Sequence, residues 1–345
     1  MSPNTESPEP PAVVLGRMAI GHWVAQALYV ATELQIPELL AAGPATADEL
    51  AHASESHPAA LLRLLRGLAA HGVVNQDQEG RFEATPISEQ LRRDVPGTLG
   101  PYVRYITGSE VYRSWGDLLH SVRTGETALD HVYGVSLFEF FSQHPDEGRI
   151  FDEAMTSSSG SVADQVVEAH DFAPYGTVVD VGGGQGMLLS RILRANPRAT
   201  GVLFDLPTVV EAARPLLERE GVADRCRLVS GSFFESVPEG GDAYVIRGVL
   251  HDWDDERTAA ILACCRAAMG PSARLLVIDR VIPEWVTPTP TDQRTTMMDL
   301  NMLVLAGGHE RTLQEFESLF ATAGFELQGT VATPLGLHVI EGTPT

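Results

Sequence analysis

Two clusters of residues in this 345-residue chain have the types and spacing to do chemistry. The first is Asp180, Gly182, Gly184 and Gly186, which follow the apolar run TVVDV and lead straight into MLLSRILRA. Glycines are needed there because the backbone must turn sharply and let a ligand lie against it with no Cβ in the way. The spacing is D-x-G-x-G-x-G, whereas a dinucleotide turn of the G-x-G-x-x-G kind would put its third glycine where Met187 stands. Asp205 ends the next apolar run, about twenty residues on, where a carboxylate can accept both hydroxyls of a ribose. Its bland alternative is a helix N-cap ahead of Pro207. The second cluster surrounds His251 in RGVLHDWDDE. An imidazole, ordinarily titrating at ~6.5, can hold or release a proton near neutrality, although a lone histidine is more often a surface or satisfied core residue.

These residues need a scaffold. Beyond Thr177, short β-branched runs alternate with helical patterns: TVVDVGG, a helix, ATGVLFDL, a helix, RLVSG, DAYVIRGV, a helix, ARLLVIDRVI. The alternation predicts an α/β domain with a doubly wound, mostly parallel, Rossmann-like sheet. It sets the glycine turn, Asp205 and His251 at the carboxyl edge of the strands, where ligands bind in open sheets. The last apolar runs, ELQGTVATP and GLHVIEGT, have no helix between them and predict a C-terminal antiparallel hairpin.

Residues 1–101 read differently. The first ten are acidic, Pro-rich and without apolar pattern, as in a disordered lead-in. Val13 to Leu40 is apolar at helical spacing, with Pro37 marking the end of the main helix, and suits a dimer-forming helix. A helix opened by Thr46 with Glu49 three residues on, a second from Pro58 to His71, and the strand-turn-strand VVNQDQEGRFEATP make up a winged helix. A winged helix also suits a ligand-responsive DNA-binding regulator, with Arg63 and Arg66 on its recognition helix. Charge argues against that: residues 1–100 hold six arginines and twelve acids, a net of −6, where a DNA reader needs a basic face. The aromatic-rich residues 102–161 predict connecting helices that line a substrate pocket, and residues 162–345 form the sheet domain.

With 44% hydrophobic and 20% charged residues the chain should fold throughout. A net charge of −22 opposes binding to nucleic acid or anionic membranes. Cys226, Cys264 and Cys265 show no zinc-type spacing and read as packing residues, and no metal-ligand constellation is visible. Without a signal peptide or an apolar run near ~18 residues, the expected location is the cytoplasm.

The motifs together resemble one family. DVGGGQG, FDLP, GSFF, RGVLHDWDDE, LLVIDRVIP and GGHERTLQEF stand in the order and spacing of caffeic-acid-type O-methyltransferases, in particular the bacterial branch that tailors aromatic antibiotics. The similarity covers essentially the whole chain. It implies S-adenosylmethionine as cofactor, no metal, a homodimer formed through the winged-helix domain, and methyl transfer to a hydroxyl of a small aromatic, polyketide or quinone-type secondary metabolite. The alternative on the same scaffold is transfer to nitrogen or carbon.

By that resemblance His251 is the general base, and Asp279 and Glu310 are the carboxylates around it, Asp279 standing where plant members have Glu. The chemistry needs such a set. A phenol of pKa ~10 is a poor nucleophile at neutral pH, and an imidazole can take its proton during attack on a sulfonium methyl. A carboxylate on one ring nitrogen fixes the tautomer and stabilises the imidazolium. The same match assigns Asp180, Gly182, Gly184, Gly186, Asp205 and Leu206 to the cofactor. It adds Trp253 near the adenine, Arg247 near the adenosine or carboxylate end, and Ser159 near the methionine part. Ser232 and Phe233 fill the place where the family commonly has Asp and Met. For the acceptor the resemblance points to Phe151, Met155, Asn301 and Met302, with Tyr105, Trp115 and Asp252 in addition. Met297, Met298 and Met302 form a flexible apolar stretch that fits a flat ring, or packs the core.

Overall fold

The computed structural model describes residues 9–345 and divides into two units, one ending at Ser109 and one running from Glu110 to Thr345. Residues 1–8 of the expected disordered lead-in lie outside the described residues.

Short amphipathic helices build the first unit around buried Ile36, Leu40, Leu50, Leu61, Leu65, Leu68 and Phe82. The N-terminal apolar run is three helices, Pro11–Ala19, Gly21–Glu33 and Ile36–Ala41. Gln35, in the left-handed region at φ +54°, turns the chain between the last two. Pro37 therefore opens the third helix, where its missing N–H costs nothing, and does not close a longer one. Taken as one stretch, the 23 residues Pro11–Glu33 have the length and composition to cross a membrane, which corrects the reading that no such stretch exists. The backbone breaks it at Ile20, and Val13, Leu15, Met18 and Trp23 stand exposed along it.

Thr46 and Glu49 form the capping box that their spacing predicts: the Thr46 amide donates to the Glu49 carboxylate at 2.7 Å and the Glu49 amide to the Thr46 hydroxyl at 3.2 Å. Such a cap stabilises a helix start by about 1 kcal/mol. Helix Pro58–Ala70 then buries Leu61, Leu65 and Leu68 on one face and leaves Arg63 and Arg66 exposed. Strands β1 (Val74–Gln76) and β2 (Phe82–Ala84) pair antiparallel as the wing.

In the second unit, short helices between Ser109 and Gln143 and the long helix Pro145–Ala169 precede the sheet. Its strands are β3 (Thr177–Val181), β4 (Thr200–Asp205), β5 (Cys226–Ser230), β6 (Ala243–Arg247), β7 (Arg274–Ile282), β8 (Arg311–Thr312), β9 (Phe325–Ala332) and β10 (Leu337–Pro344). Their order is β5-β4-β3-β6-β7-β10-β9, with β8 beside β7. Strands β3 to β7 pair in parallel, and β10 runs antiparallel between β7 and β9.

Helices cover both faces, so the central strands are nearly continuous apolar runs. Val179, Val181, Tyr244 and Ile246 pack with Ile261, Leu262, Phe316 and Phe320 on one side. Val178, Ala243 and Val245 pack with Val166, Leu189, Ile192 and Leu216 on the other. The doubly wound architecture and its C-terminal antiparallel pair are as the sequence predicts. Chain order reverses between β3 and β6, and a crevice for ligands opens at such a switch point. The three cysteines are free and pack into these two cores; burial pushes the Cys226 thiol up to about 11.

Candidate active site

On one side of the crevice, β3 delivers the glycine turn. Gly182, Gly184 and Gly186 all sit at positive φ (+67°, +59° and +83°), which a side chain rarely tolerates. Gly183 has ordinary φ and is confined in another way: a Cβ there would lie 2.5 Å from Leu203 Cδ1 and 2.6 Å from Asp180 Cγ. The turn is therefore squeezed from beneath, while the Cβ direction of Gly184 meets nothing within 4 Å. Asp205, at the end of β4, accepts the Gly184 amide at 2.8 Å and the Leu206 amide at 2.7 Å. It is not the cap of the next helix, whose N-cap residue is Leu206. Burial raises Asp205 above the usual carboxylate range.

Beneath the turn, Asp180 is buried, with one carboxylate oxygen lacking a hydrogen-bond partner. Burial, reinforced by Asp205 and opposed by Arg247, pushes it up to about 7. Arg247, at the end of β6, donates to the Ser159 hydroxyl at 2.7 Å, and that hydroxyl bonds back to the Met155 carbonyl. One buried hydrogen-bond chain thus ties the sheet edge to helix Pro145–Ala169.

On the other side, β6 runs into Gly248 and then the tight turn Leu250–Asp252 that bears His251. His251 Nδ1 lies 3.0 Å from Glu310 Oε1, and Nε2 lies 3.6 Å from Asp252 Oδ1. The imidazole is a fifth exposed. Asp279, on β7, does not bond the ring; its shorter side chain accepts the Gly248 amide at 3.1 Å and leaves its second oxygen without a partner. Burial opposes a charge on His251, but Asp252, Glu310 and Asp279 outweigh it and push the imidazole up to about 10. Burial also raises Asp252, to about 6, and Asp279, each against the pull of His251.

Sequence reading missed what holds this turn. Arg311 is fully buried and donates to the carbonyls on either side of His251, Leu250 at 2.9 Å and Trp253 at 2.8 Å, and to Asp255 at 3.0 Å. Gly308 presses backbone against backbone: a Cβ would collide with the His251 carbonyl oxygen and lie 2.5 Å from the Trp253 amide nitrogen. Asp299 accepts the Glu310 amide at 2.9 Å. The one signal in the sequence is GGHERT itself, in which Gly308 and Arg311 flank Glu310.

Trp253 lines a cavity of about 380 Å³ with Phe138, Phe234, Arg257, Leu137, Ser136 and Ala306. Phe138 stacks on the indole at 5.6 Å, Phe234 meets it edge-on at 4.9 Å, and Arg257 lies over it at 5.4 Å. No spacing in the sequence marks Phe138, Phe234 or Arg257 as lining this cavity. Phe233 lies 6.3 Å from Trp253 and faces Gly182, and the Ser232 hydroxyl accepts the Phe234 amide at 3.3 Å.

Of the acceptor residues, Trp115 and Asn301 meet: the indole N–H donates to the Asn301 side-chain oxygen at 2.9 Å. Asn301 and Met302 are buried in helix Pro290–Leu305. Phe151 and Met155 lie half-buried on helix Pro145–Ala169, with Phe151 stacked on Phe141 at 4.8 Å. Tyr105 is buried in helix Gly100–Ile106 of the first unit. The expectation of no metal constellation needs correction: Asp117, His120 and His131 come together, because a helical hairpin closes a sequence gap that spacing rules do not recognise.

Known proteins match over the same features. An O-methyltransferase domain model matches residues 115–326, and an O-methyltransferase dimerisation domain model matches residues 17–94. The chain is 43% identical to the phenazine O-methyltransferase PhzM of Lysobacter antibioticus, over 97% of each chain. The crystal structure of LaPhzM, 43% identical, superposes with a TM-score of 0.93, covering 98% of this chain and all of that one. The O-methyltransferase NcsB1 from neocarzinostatin biosynthesis, solved with S-adenosylmethionine and 2-hydroxy-5-methyl naphthoic acid, is 35% identical. Its TM-score is 0.77, over 93% of this chain and 96% of that one.

Proposed function

The chain belongs to the O-methyltransferase family, and from that membership we propose that it moves a methyl group from S-adenosylmethionine to a hydroxyl of a small aromatic, polyketide or quinone-type secondary metabolite. The observation carrying the catalytic part is the 3.0 Å contact between His251 Nδ1 and Glu310, which leaves Nε2, 3.6 Å from Asp252 Oδ1 and without a hydrogen bond, to meet an acceptor.

The cofactor assignment rests on fit. The open face of Gly184, the Asp180 oxygen without a partner, and the Trp253 cavity are a backbone cradle, a polar contact and an aromatic slot. Asp205, though it already accepts two amides, keeps lone pairs for ribose hydroxyls. S-adenosylmethionine, when bound, supplies a methyl group activated by a sulfonium. Arg247, Ser159, Ser232, Phe233 and Leu206 complete that side of the crevice.

His251 does the proton work. The carboxylates around His251 raise its basicity, so the neutral imidazole takes the acceptor's proton at Nε2 readily. Glu310 holds Nδ1 and stabilises the imidazolium that results. Asp252 and Asp279 favour the same charge from nearby. An acidic acceptor, such as a hydroxyquinone, enters as its anion and pairs with the imidazolium already present; a neutral phenol requires His251 to lose its proton first. Phe151, Met155, Met302 and the Trp115–Asn301 pair provide an acceptor wall with one fixed polar point.

The dimerisation match and the exposed apolar side chains of the N-terminal helices support a homodimer, since monomers rarely expose a run such as Val13, Leu15, Met18 and Trp23. Light scattering at working concentration should give twice the 37.2 kDa chain mass.

Calorimetric titration with S-adenosylhomocysteine and with NADH, followed by methyl-transfer assays on hydroxylated aromatics and quinones, tests the reading. Binding of the former alone, with a product methylated at oxygen, is expected. Preference for NADH would overturn the cofactor assignment, and methylation at nitrogen or carbon would overturn the acceptor assignment.

A further inference from the structure

Three side chains outside the catalytic cluster meet where two helices turn back on each other. Asp117 precedes helix Leu118–Thr124, which contains His120, and His131 lies in the next helix, Ala128–Tyr133. Gly125, at φ +77°, ends the first helix and lets the second fold back. His131 Nδ1 lies 2.6 Å from Asp117 Oδ2, and the two imidazoles stack face to face at 3.8 Å. One nitrogen or oxygen from each of the three residues falls within 4.8 Å of the others. His120 Nε2 is shielded from solvent and has no hydrogen-bond partner, although the Glu126 carboxylate approaches it, out of line, to 3.3 Å. Methyl transfer uses none of these groups.

We propose that Asp117, His120 and His131 form a zinc site, with Glu126, exposed and outside that group of three but 3.3 Å from His120 Nε2, swinging in as the fourth ligand. Imidazole nitrogen and carboxylate oxygen are donors that zinc takes at about 2.0–2.2 Å, which at a tetrahedral angle puts neighbouring ligand atoms roughly 3.3 Å apart. His120 Nε2 and Glu126 Oε2 already stand at that separation. His131, about half exposed, has room to swing out of the stack and bring its Nδ1 onto the same ion. Four protein ligands leave no position for substrate, so the role is structural. A hard ion such as magnesium, which prefers oxygen and water, does not match two imidazoles.

The ion would pin two helices that pack on the acceptor side of the catalytic unit. Helix Ala128–Tyr133 contacts helix Pro290–Leu305, which bears Asn301 and Met302. The Thr127 hydroxyl lies 3.1 Å from where a Cβ on Gly307 would be, three residues before Glu310. Zinc would therefore stiffen the acceptor wall without entering the reaction.

The test uses the full chain with any affinity tag removed and metal stripped, titrated calorimetrically with zinc and, separately, magnesium, with cobalt absorption as a second readout. One zinc per protomer, no magnesium, and cobalt bands of tetrahedral form are expected. His131→Ala and Asp117→Asn should each weaken zinc at least about tenfold and abolish the rise in melting temperature that zinc gives the parent chain. His120→Gln, a milder change, guards against loss of fold, which circular dichroism checks in every variant. Equal affinity for magnesium, fewer than one zinc for every two protomers, or zinc affinity unchanged in all three variants would overturn the site.

Discussion

The two sides of the crevice are made of opposite materials. At the ends of β3 and β4 the surface is bare backbone: three glycines at positive φ, a fourth pressed on Leu203 and Asp180, and a carboxylate occupied with amides. Past β6, the surface is dense with charge, one imidazole among three carboxylates, with a buried guanidinium behind it. The first side has no room for added atoms beneath its turn, where Gly183 meets Leu203 and Asp180, and the second cannot lose the ones it has. Shape made by omission binds; charge made by accumulation reacts. Substitutions should separate the two.

The largest effect is expected from His251→Ala, which should lower kcat by about 10²–10⁴-fold and leave S-adenosylhomocysteine affinity, read by calorimetry, unchanged. A loss under tenfold would mean that the charged side positions and does not deprotonate. Next comes Arg311→Met, which strips donors from the Leu250 and Trp253 carbonyls. Urea unfolding should show a loss of about 2–4 kcal/mol, and kcat should fall more than cofactor affinity. Unchanged stability would show that the turn holds its shape unaided.

On the bare side, Gly183→Ala adds a single methyl group where Leu203 and Asp180 leave no space. A cost of about 1–3 kcal/mol and weaker S-adenosylhomocysteine binding are expected, with the pH profile of the residual activity unmoved. A moved profile would mean the two sides are not separable.

Asp279→Asn sharpens the charge argument. The Asp279 carboxylate favours the imidazolium, so removing its charge lets His251 lose its proton at lower pH. For a neutral phenol the rising limb of kcat/KM should shift to lower pH, and a shift the other way would contradict the coupling. The smallest effect should come from Trp115→Phe, which deletes one hydrogen bond to Asn301. About 1 kcal/mol, or a several-fold rise in acceptor KM, is expected, with cofactor binding intact.

The bare side was also the legible one. A glycine turn between a strand and a helix announces itself because only glycine meets the backbone demand, so Asp180, Gly182, Gly184 and Asp205 could be read from type and spacing. The charged side was legible only where a family motif spoke for it. Glu310 and Asp279 come from segments far along the chain, and nothing in their spacing from His251 brings them together. Arg311 was invisible because a buried arginine and a solvated one look alike in a sequence. Asp117, His120 and His131 were invisible because a helical hairpin, not a recognised spacing, closes the gap between them. The N-terminal apolar run misled on length, since left-handed Gln35 interrupts a pattern that periodicity alone would continue.

Strand β10 carries one further consequence. The final eight-residue strand, Leu337–Pro344, is not an edge but fills the slot between β7 and β9, and His338 pairs in register with Asp279. During synthesis β7 therefore gains that neighbour only once residues 337–344 have emerged, long after the glycine turn and Asp205. Deleting Leu337–Pro344 would remove not a tail but a beam from the middle of the sheet, directly beside the charge cluster.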